Sequence, residues 1–232
     1  MKDMKLYLLA LLAIFGQTLY SQIEPGVYFA ENEGVKYEMK LTSHYLIMSS
    51  YGTDPAEFHQ TFGGFYNVED GHIKVNLEFN SNYESDSIRM VDIPFHAKDE
   101  FIVFRLGEDL RFSKVKSGNQ DLDGQWLFAT RGPDEGQDRR GESNARKTLK
   151  FLMDGRFQWI AYHTETMKFS GTGGGAYTSE DGKYVEKIEY FSRDNSRVGA
   201  ELGFDYKVNG VDWHHTGKNS KGEDMYEIWS KR

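Results

Sequence analysis

The chain has 232 residues, of which 38% are hydrophobic and 15% aromatic, and it contains no cysteine. This apolar content is enough to bury hydrophobic cores, which argues against a disordered chain. The absence of cysteine excludes a disulfide scaffold, a thiol nucleophile and a thiolate metal site. The 28 basic side chains against 36 acidic ones give a net charge of -8. No nucleic-acid partner is therefore predicted, because binding to phosphates depends on basic residues.

The first 21 residues have the pattern of a secretory signal peptide. Lys2 and Lys5 precede an apolar run at residues 6–19, and the small residue Ser21 follows it. The run is short for a membrane span, so we predict cleavage after Ser21 and no transmembrane segment in the mature chain; a retained anchor is the alternative. Export without cysteine predicts a secreted or periplasmic protein, or one of the cell envelope, in a bacterium.

The remainder alternates polar and apolar residues over short segments, which is the pattern of half-buried β-strands. A first series of eight strands is predicted at residues 26–31, 35–43, 45–51, 57–68, 72–80, 86–96, 100–106 and 110–115. A second series of eight is predicted at residues 124–130, 146–153, 156–163, 168–178, 183–191, 198–208, 211–216 and 225–230. Turns such as Asp154-Gly155 favour hairpins between neighbouring strands. The sequence thus predicts an all-β chain with antiparallel strands in up-and-down order.

The two series also resemble each other in sequence. A Gly-Gly-x-Tyr motif at residues 63–66 recurs at 174–177, an offset of 111, and residues 39–41 resemble 149–151 at an offset of 110. We interpret this similarity as a tandem duplication, with chance similarity of two β-rich halves as the alternative. The predicted organisation is a signal peptide at 1–21, a first barrel at 22–116, a linker at 117–122 and a second barrel at 123–232.

Eight antiparallel strands remove their exposed edges by closing into a barrel. Five short segments carry a family resemblance: Gly124-Gln125-Trp126, Phe157-Gln158-Trp159, Gly173-Gly174-Gly175-Ala176-Tyr177, Tyr184-Val185-Glu186 and Glu227-Ile228-Trp229. On these segments the chain resembles a poorly characterised family of lipocalin-like barrels, within the calycin group, in secreted bacterial proteins. The resemblance implies that Gly124 and Trp126 open the first strand, and that Lys231 or Arg232 covers Trp126. It implies binding of a small molecule only by analogy.

Comparison of the two halves points to a ligand site in the second barrel. The face formed by Ile73, Val75, Leu77 and Phe79 is apolar, whereas its counterpart is formed by Tyr184, Glu186, Ile188 and Tyr190. A carboxylate in place of Val75 would need donors, water or a ligand if it were buried. All four tryptophans lie in the second half, and two histidines share strand faces with two of them. The predicted ligand-binding residues are Trp126, Trp159, His163, Tyr184, Glu186, Tyr190, Trp213, His215, Glu227 and Trp229.

The leading interpretation is a protein that binds a small, partly apolar ligand in the second barrel. One alternative is an isomerase, lyase or glycan-acting hydrolase that uses Glu186 as general acid or base, assisted by His163 or His215. For glycan hydrolysis, Glu186 and Glu227 are the only carboxylate pair that we consider. Another alternative is a cell-envelope interaction module with two filled barrels. No metal site and no cofactor are predicted, because the histidines form no compact ligand pattern.

Two further segments carry structural predictions. Three successive glycines at 173–175 predict a sharp bend in their strand, with room for a ligand as the alternative. The charged loop from Arg131 to Arg146 is predicted to be mobile and to cover one mouth of the second barrel.

Overall fold

The protein consists of two closed antiparallel barrels in tandem, each with eight strands. A computed structural model describes residues 23–98, 101–116, 118–219 and 222–232. In each barrel every strand pairs with its neighbours in sequence, and the first strand pairs with the last. The predicted all-β, up-and-down architecture is confirmed. The predicted signal peptide at residues 1–21 lies outside the described residues. Within the described ranges, none of the helices is both long enough and apolar enough to span a membrane.

The strand bounds follow the predicted segments closely, because the turns are short. The first barrel contains β1 (Gly26–Asn32), β2 (Val35–Leu41), β3 (Tyr45–Thr53), β4 (Ala56–Glu69), β5 (His72–Asn80), β6 (Met90–Lys98), β7 (Phe101–Leu106) and β8 (Glu108–Lys114). The second contains β9 (Gly124–Arg131), β10 (Arg146–Met153), β11 (Arg156–His163), β12 (Phe169–Glu180), β13 (Lys183–Phe191), β14 (Glu201–Asn209), β15 (Asp212–Lys218) and β16 (Asp224–Lys231). The predicted start of β6 is wrong, because a short helix (Tyr83–Asp86) precedes it.

The paired glycines produce a β-bulge at the same place in both barrels. The register of β4 with β5 shifts between Gly63 and Gly64, and the register of β12 with β13 shifts between Gly174 and Gly175. A Cβ atom on Gly64 would lie 1.9 Å from a backbone oxygen of β5, and one on Gly175 would lie 2.0 Å from a backbone oxygen of β13. Only glycine allows this close approach of two strands. Close packing of backbone therefore explains the motif.

The bulges correct the prediction that Phe79 and Tyr190 face the lumens. The extra residue in β5 and in β13 reverses the alternation of faces beyond it. Phe79 and Tyr190 are consequently buried between the two barrels. The Phe79 ring lies 5.1 Å from the ring of Tyr162, and the Tyr190 ring lies 4.5 Å from that of Tyr51.

The outward faces of the two barrels pack against each other with an internal pseudo-two-fold relation. Tyr162 donates a hydrogen bond to Glu78 at 3.0 Å, and Tyr51 donates one to Glu189 at 3.4 Å. Tyr162 and Glu189 stand 111 positions after Tyr51 and Glu78. Each barrel thus makes the same contact with the other, as in a symmetric dimer. An apolar cluster fills the same interface: Tyr45, Ile47, Phe79, Leu127, Leu149, Phe151, Ile160 and Tyr162.

A buried group of charges also joins the barrels. Arg156 of the second barrel donates to Glu38 of the first at 3.0 Å and to Glu189 at 2.6 Å. Lys40 lies 2.8 Å from Glu38, and the side chains of both are fully buried. Burial alone would raise the pKa of Glu38, but Lys40 and Arg156 together hold it below its ordinary value. The positive charges of Lys40 and Arg156 balance the negative charges of Glu38 and Glu189. This balance removes most of the free-energy cost of burying these charges.

Trp126 lies buried near the start of β9 in the second barrel. Its indole nitrogen donates a hydrogen bond to the backbone oxygen of Leu122 at 2.8 Å, and Lys231 lies 5.5 Å from the ring centre. Of the two basic residues considered from sequence, Lys231 covers this ring. Arg232 instead donates to Glu78 at 2.8 Å between the barrels.

Tyr28, near the start of β1, makes the equivalent contacts in the first barrel. Tyr28 donates to the backbone oxygen of Glu24 at 2.7 Å, and the ammonium of Lys114 lies 6.0 Å from the Tyr28 ring. The two halves thus share this arrangement as well as their bulge.

Candidate functional site

The strand register identifies which residues of the two lumens correspond. Gly26 pairs with Leu41 in the first barrel, and Gly124 pairs with Leu152 in the second. Leu41 therefore corresponds to Leu152, an offset of 111. The sequence match of residues 39–41 with 149–151 is wrong by one position.

This one-position correction reverses the strand face on which two lysines lie. Lys40 points into the interface between the barrels, where it meets Glu38. Lys150 points into the second lumen and corresponds to Met39, which belongs to the apolar core of the first barrel. Lys150 is absent from the predicted site for this reason, although carrying the offset of 111 between the Gly-Gly-x-Tyr motifs back to Met39 would have found it.

An ion pair lies inside the second barrel. The Lys150 ammonium is 2.8 Å from Glu186 Oε1, and Tyr184 donates to the same oxygen at 2.7 Å. The Lys150 and Glu186 side chains are 7% and 6% exposed. The predicted lumenal carboxylate thus has a cation and a hydroxyl as partners. In the first barrel the corresponding side chains are Met39 and Val75, both fully buried.

Four aromatic rings surround the ammonium of Lys150. The ring centres lie 5.0 Å away for Tyr184, 5.0 Å for Trp213, 5.3 Å for Trp229 and 5.9 Å for Phe204. Ring faces at this distance stabilise a cation, most strongly when water is excluded. The charge of Lys150 is therefore compatible with an otherwise apolar lumen.

His215 lies beside this ion pair and is neutral at pH 7. Its ring centre is 4.4 Å from that of Phe204 and 5.0 Å from that of Trp213. Burial, reinforced by the charge of Lys150, lowers its pKa to about 4. Its Nδ1 atom is 3.7 Å from Glu227 Oε2, and neither ring nitrogen has a hydrogen-bond partner within the described part of the chain.

Glu227 lies at the edge of the lumen and remains ionised. It accepts a hydrogen bond from the indole of Trp229 at 3.1 Å. Burial alone would raise the pKa of Glu227, but its contact with His215 and the charge of Lys150 keep it below its ordinary value.

Two adjoining cavities open at this end of the second barrel. The first, here called the mouth cavity, has a volume of about 240 Å³ and is lined by Thr148, Lys150, Trp159, Glu186, Phe204, His215, Lys218, Asn219, Met225, Glu227 and Trp229. The second, here called the loop cavity, has a volume of about 610 Å³ and is lined by Phe128, Ala129, Thr130, Arg131, Gln137, Asp138, Arg140, Thr148, Glu227 and Trp229. They share Thr148, Glu227 and Trp229. Where the second barrel has Thr148, the first has Tyr37, which packs against its apolar core.

The predicted site residues divide into three groups. Six of the ten line or contact the region of the mouth cavity: Trp159, Tyr184, Glu186, His215, Glu227 and Trp229. Trp126 and Trp213 lie deeper in the lumen, where their ring centres are 5.7 Å apart. Tyr190 lies between the barrels, and His163 lies at the end of β11, where its Nδ1 is 3.4 Å from the backbone nitrogen of Thr166. Neither of these two lines the cavities described above.

The loop between β9 and β10 forms one wall of the loop cavity. Arg139 is held by Asp212 at 2.6 Å on the outer surface of the barrel. The next residue, Arg140, donates its backbone N–H to Ala129 at 2.8 Å and places its guanidinium 4.4 Å from the Phe128 ring. Three residues of this loop, Gln137, Asp138 and Arg140, thus line the loop cavity. The mobility of the loop stays a prediction.

No group of three or more potential ligands is arranged to hold a metal ion among the described residues. No protein-family model matches the sequence, and no curated protein matches it. Among solved structures, the Helicobacter pylori beta clamp bound to a DNA ligase peptide is similar over 93% of this chain and 59% of that chain, with 8% identity and a TM-score of 0.18. Similarity at that level carries no argument about fold or function. The fold therefore rests on the observed strand pairing.

Proposed function

We propose that the protein binds one small, partly apolar ligand in the mouth cavity of the second barrel. The proposal is supported by the difference between the two lumens. The second lumen has a polar centre and an opening, whereas the first is filled with apolar side chains. Pockets for small ligands are mostly apolar and contain a few well-placed polar groups. Trp159, Phe204, Met225 and Trp229 supply the apolar walls, and Lys150 with its two partners supplies the polar centre.

We further propose that the protein is exported and lipocalin-like. The charged and apolar pattern of residues 1–21 supports export. The position of Lys231 over Trp126 supports the lipocalin-like resemblance. In this proposal the first barrel is a packed supporting module.

Binding is favoured over catalysis by the surroundings of Glu186. Its Oε1 atom already accepts from both Lys150 and Tyr184. An oxygen that already accepts from an ammonium and a hydroxyl is poorly placed to act as a general base, because a substrate proton would have to displace one of these donors. The filled-module alternative fits the first lumen better than the second, because the second has a mouth cavity.

The experiment is to fill the mouth cavity with the residue that the first barrel uses. Thr148→Tyr introduces the counterpart of Tyr37, while Thr178→Tyr makes the same change at an exposed position of β12. Isothermal titration with a panel of aromatic acids and alcohols should give one site per chain in the wild type and in Thr178→Tyr. Thr148→Tyr should lose that binding and retain its melting temperature. Equal binding by all three proteins would contradict the proposal.

A further inference from the structure

Two arginines line the loop cavity, and a third acts on one of them through its charge. Arg131 and Arg140 line the cavity, and the charge of Arg146 acts on Arg140. Within the described ranges, none of these three forms an ion pair. The neighbouring Arg139 differs, because Asp134 lies 2.8 Å and Asp212 2.6 Å from it. The loop therefore pairs one of its consecutive arginines and leaves the other facing the cavity.

Arg140 is a partly buried cation with the Phe128 ring at 4.4 Å and the charge of Arg146 acting on it. Burial, together with the charge of Arg146, lowers its pKa, and Glu227 opposes this only in part. Asp138 and Glu227 are the acidic residues that line the cavity. Arg131 and Arg140 thus line the cavity together with two carboxylates, and Arg146 adds a third positive charge near Arg140. A bound anion would remove this local repulsion.

The ion pair inside the lumen does not offer a competing site for an anion. Lys150 is 2.8 Å from Glu186, so an anion there would have to displace a buried carboxylate. A guanidinium at the cavity wall is better suited, because its planar donors match the oxygens of a carboxylate or phosphate.

We infer that the loop cavity binds the anionic oxygen head group of an amphiphile, a carboxylate or a phosphate, whose apolar body occupies the mouth cavity. The inference rests on the proposed function, since it divides one ligand between two adjoining cavities. Thr148, Glu227 and Trp229 line both cavities, so a single molecule can extend from one to the other. Arg140 and Arg131 contact the head group, and Trp159 and Phe204 contact the body.

The test uses four naphthyl compounds of similar size in isothermal titrations: naphthylacetate, naphthyl phosphate, naphthylethanol and naphthylethylamine. The wild type should bind at least one of the two anions about tenfold more tightly than the alcohol, as expected for one charge-assisted contact. The amine should bind more weakly than the alcohol. A preference for naphthylacetate or for naphthyl phosphate identifies the head group as carboxylate or phosphate.

Arg140→Gln should reduce the preference for the anion to about twofold and leave the affinity for the alcohol unchanged. Arg131→Gln should reduce it in the same direction. Lys207→Gln is the charge-matched control on the exposed face of β14, and it should leave the preference unchanged. Added salt should weaken binding of the anion and leave binding of the alcohol unchanged.

The outcomes separate this inference from the proposed function. Equal binding of anions and alcohol by the wild type, or an anion preference that survives Arg140→Gln, overturns the head-group site and leaves the binding function standing. Failure of all four compounds to bind overturns both.

Discussion

Replacing both residues of the ion pair inside the second barrel should leave the protein stable, whereas replacing either residue alone should destabilise it. Glu186→Val removes the carboxylate that is in direct contact with Lys150, and Lys150→Met leaves Glu186 with the Tyr184 hydroxyl as its remaining partner. Both side chains are less than 10% exposed, so solvent cannot replace the lost partner. Each single change should lower the free energy of unfolding by about 3 to 5 kcal/mol.

The double variant Lys150→Met, Glu186→Val installs the apolar pair of the first barrel, Met39 and Val75. Its free energy of unfolding should lie within about 1 kcal/mol of the wild type or exceed it, because neither member of the ion pair is left without its partner. Urea denaturation of the four proteins at pH 7, followed by tryptophan fluorescence, measures the cycle. A double variant that loses the sum of the two single losses would refute the reasoning, since the two residues would then act independently.

Three further predictions concern the bulge, the buried histidine and the charges between the barrels. Gly175→Ala should destabilise the protein by about 3 kcal/mol or prevent folding, because its Cβ atom would lie 2.0 Å from a backbone oxygen. The control Gly203→Ala, whose Cβ atom would have no atom within 4 Å, should cost less than about 1 kcal/mol. Thermal denaturation of both variants measures the difference. His215 has a pKa of about 4 in the folded protein against an ordinary value of 6.5, so the unfolded chain binds the proton first and stability falls as the pH drops through this range. Between about pH 7 and about pH 4.5 the wild type should lose about 2 kcal/mol more of its free energy of unfolding than His215→Phe does, as measured by urea denaturation. An equal loss in the two proteins would contradict the lowered pKa of His215. Arg156→Gln leaves the buried carboxylate of Glu38 without one of its two cations. It should lower the free energy of unfolding by about 3 kcal/mol or more, measured by urea denaturation. A loss below about 1 kcal/mol would mean that the charges between the barrels are dispensable.

The overall architecture was predictable because it depends on strand period and turn type. Alternating residues and Asp-Gly turns specify antiparallel neighbours, and eight such strands close on themselves. The pairing of the first strand with the last is long-range, yet it follows from removing the exposed edges. The repeat strengthened the prediction, since each half indicated the same number of strands.

The faces of several strands were harder to predict because both faces are buried. In β10, Leu149 and Phe151 pack against the other barrel while Lys150 faces the lumen. Alternation alone assigns the apolar residues to the lumen, so packing between the barrels reverses the expected pattern. The same limit applies to Tyr190, where a one-residue bulge changes the face and only the paired glycines give a local signal.

Native mass spectrometry shows whether the second lumen holds a ligand through its polar centre. The protein is purified from its own cells under mild conditions, and the Lys150→Met, Glu186→Val variant is purified in the same way. We expect one small molecule bound per wild-type chain and none on the double variant. A wild-type chain that carries no small molecule, or a double variant that retains it, would contradict the account.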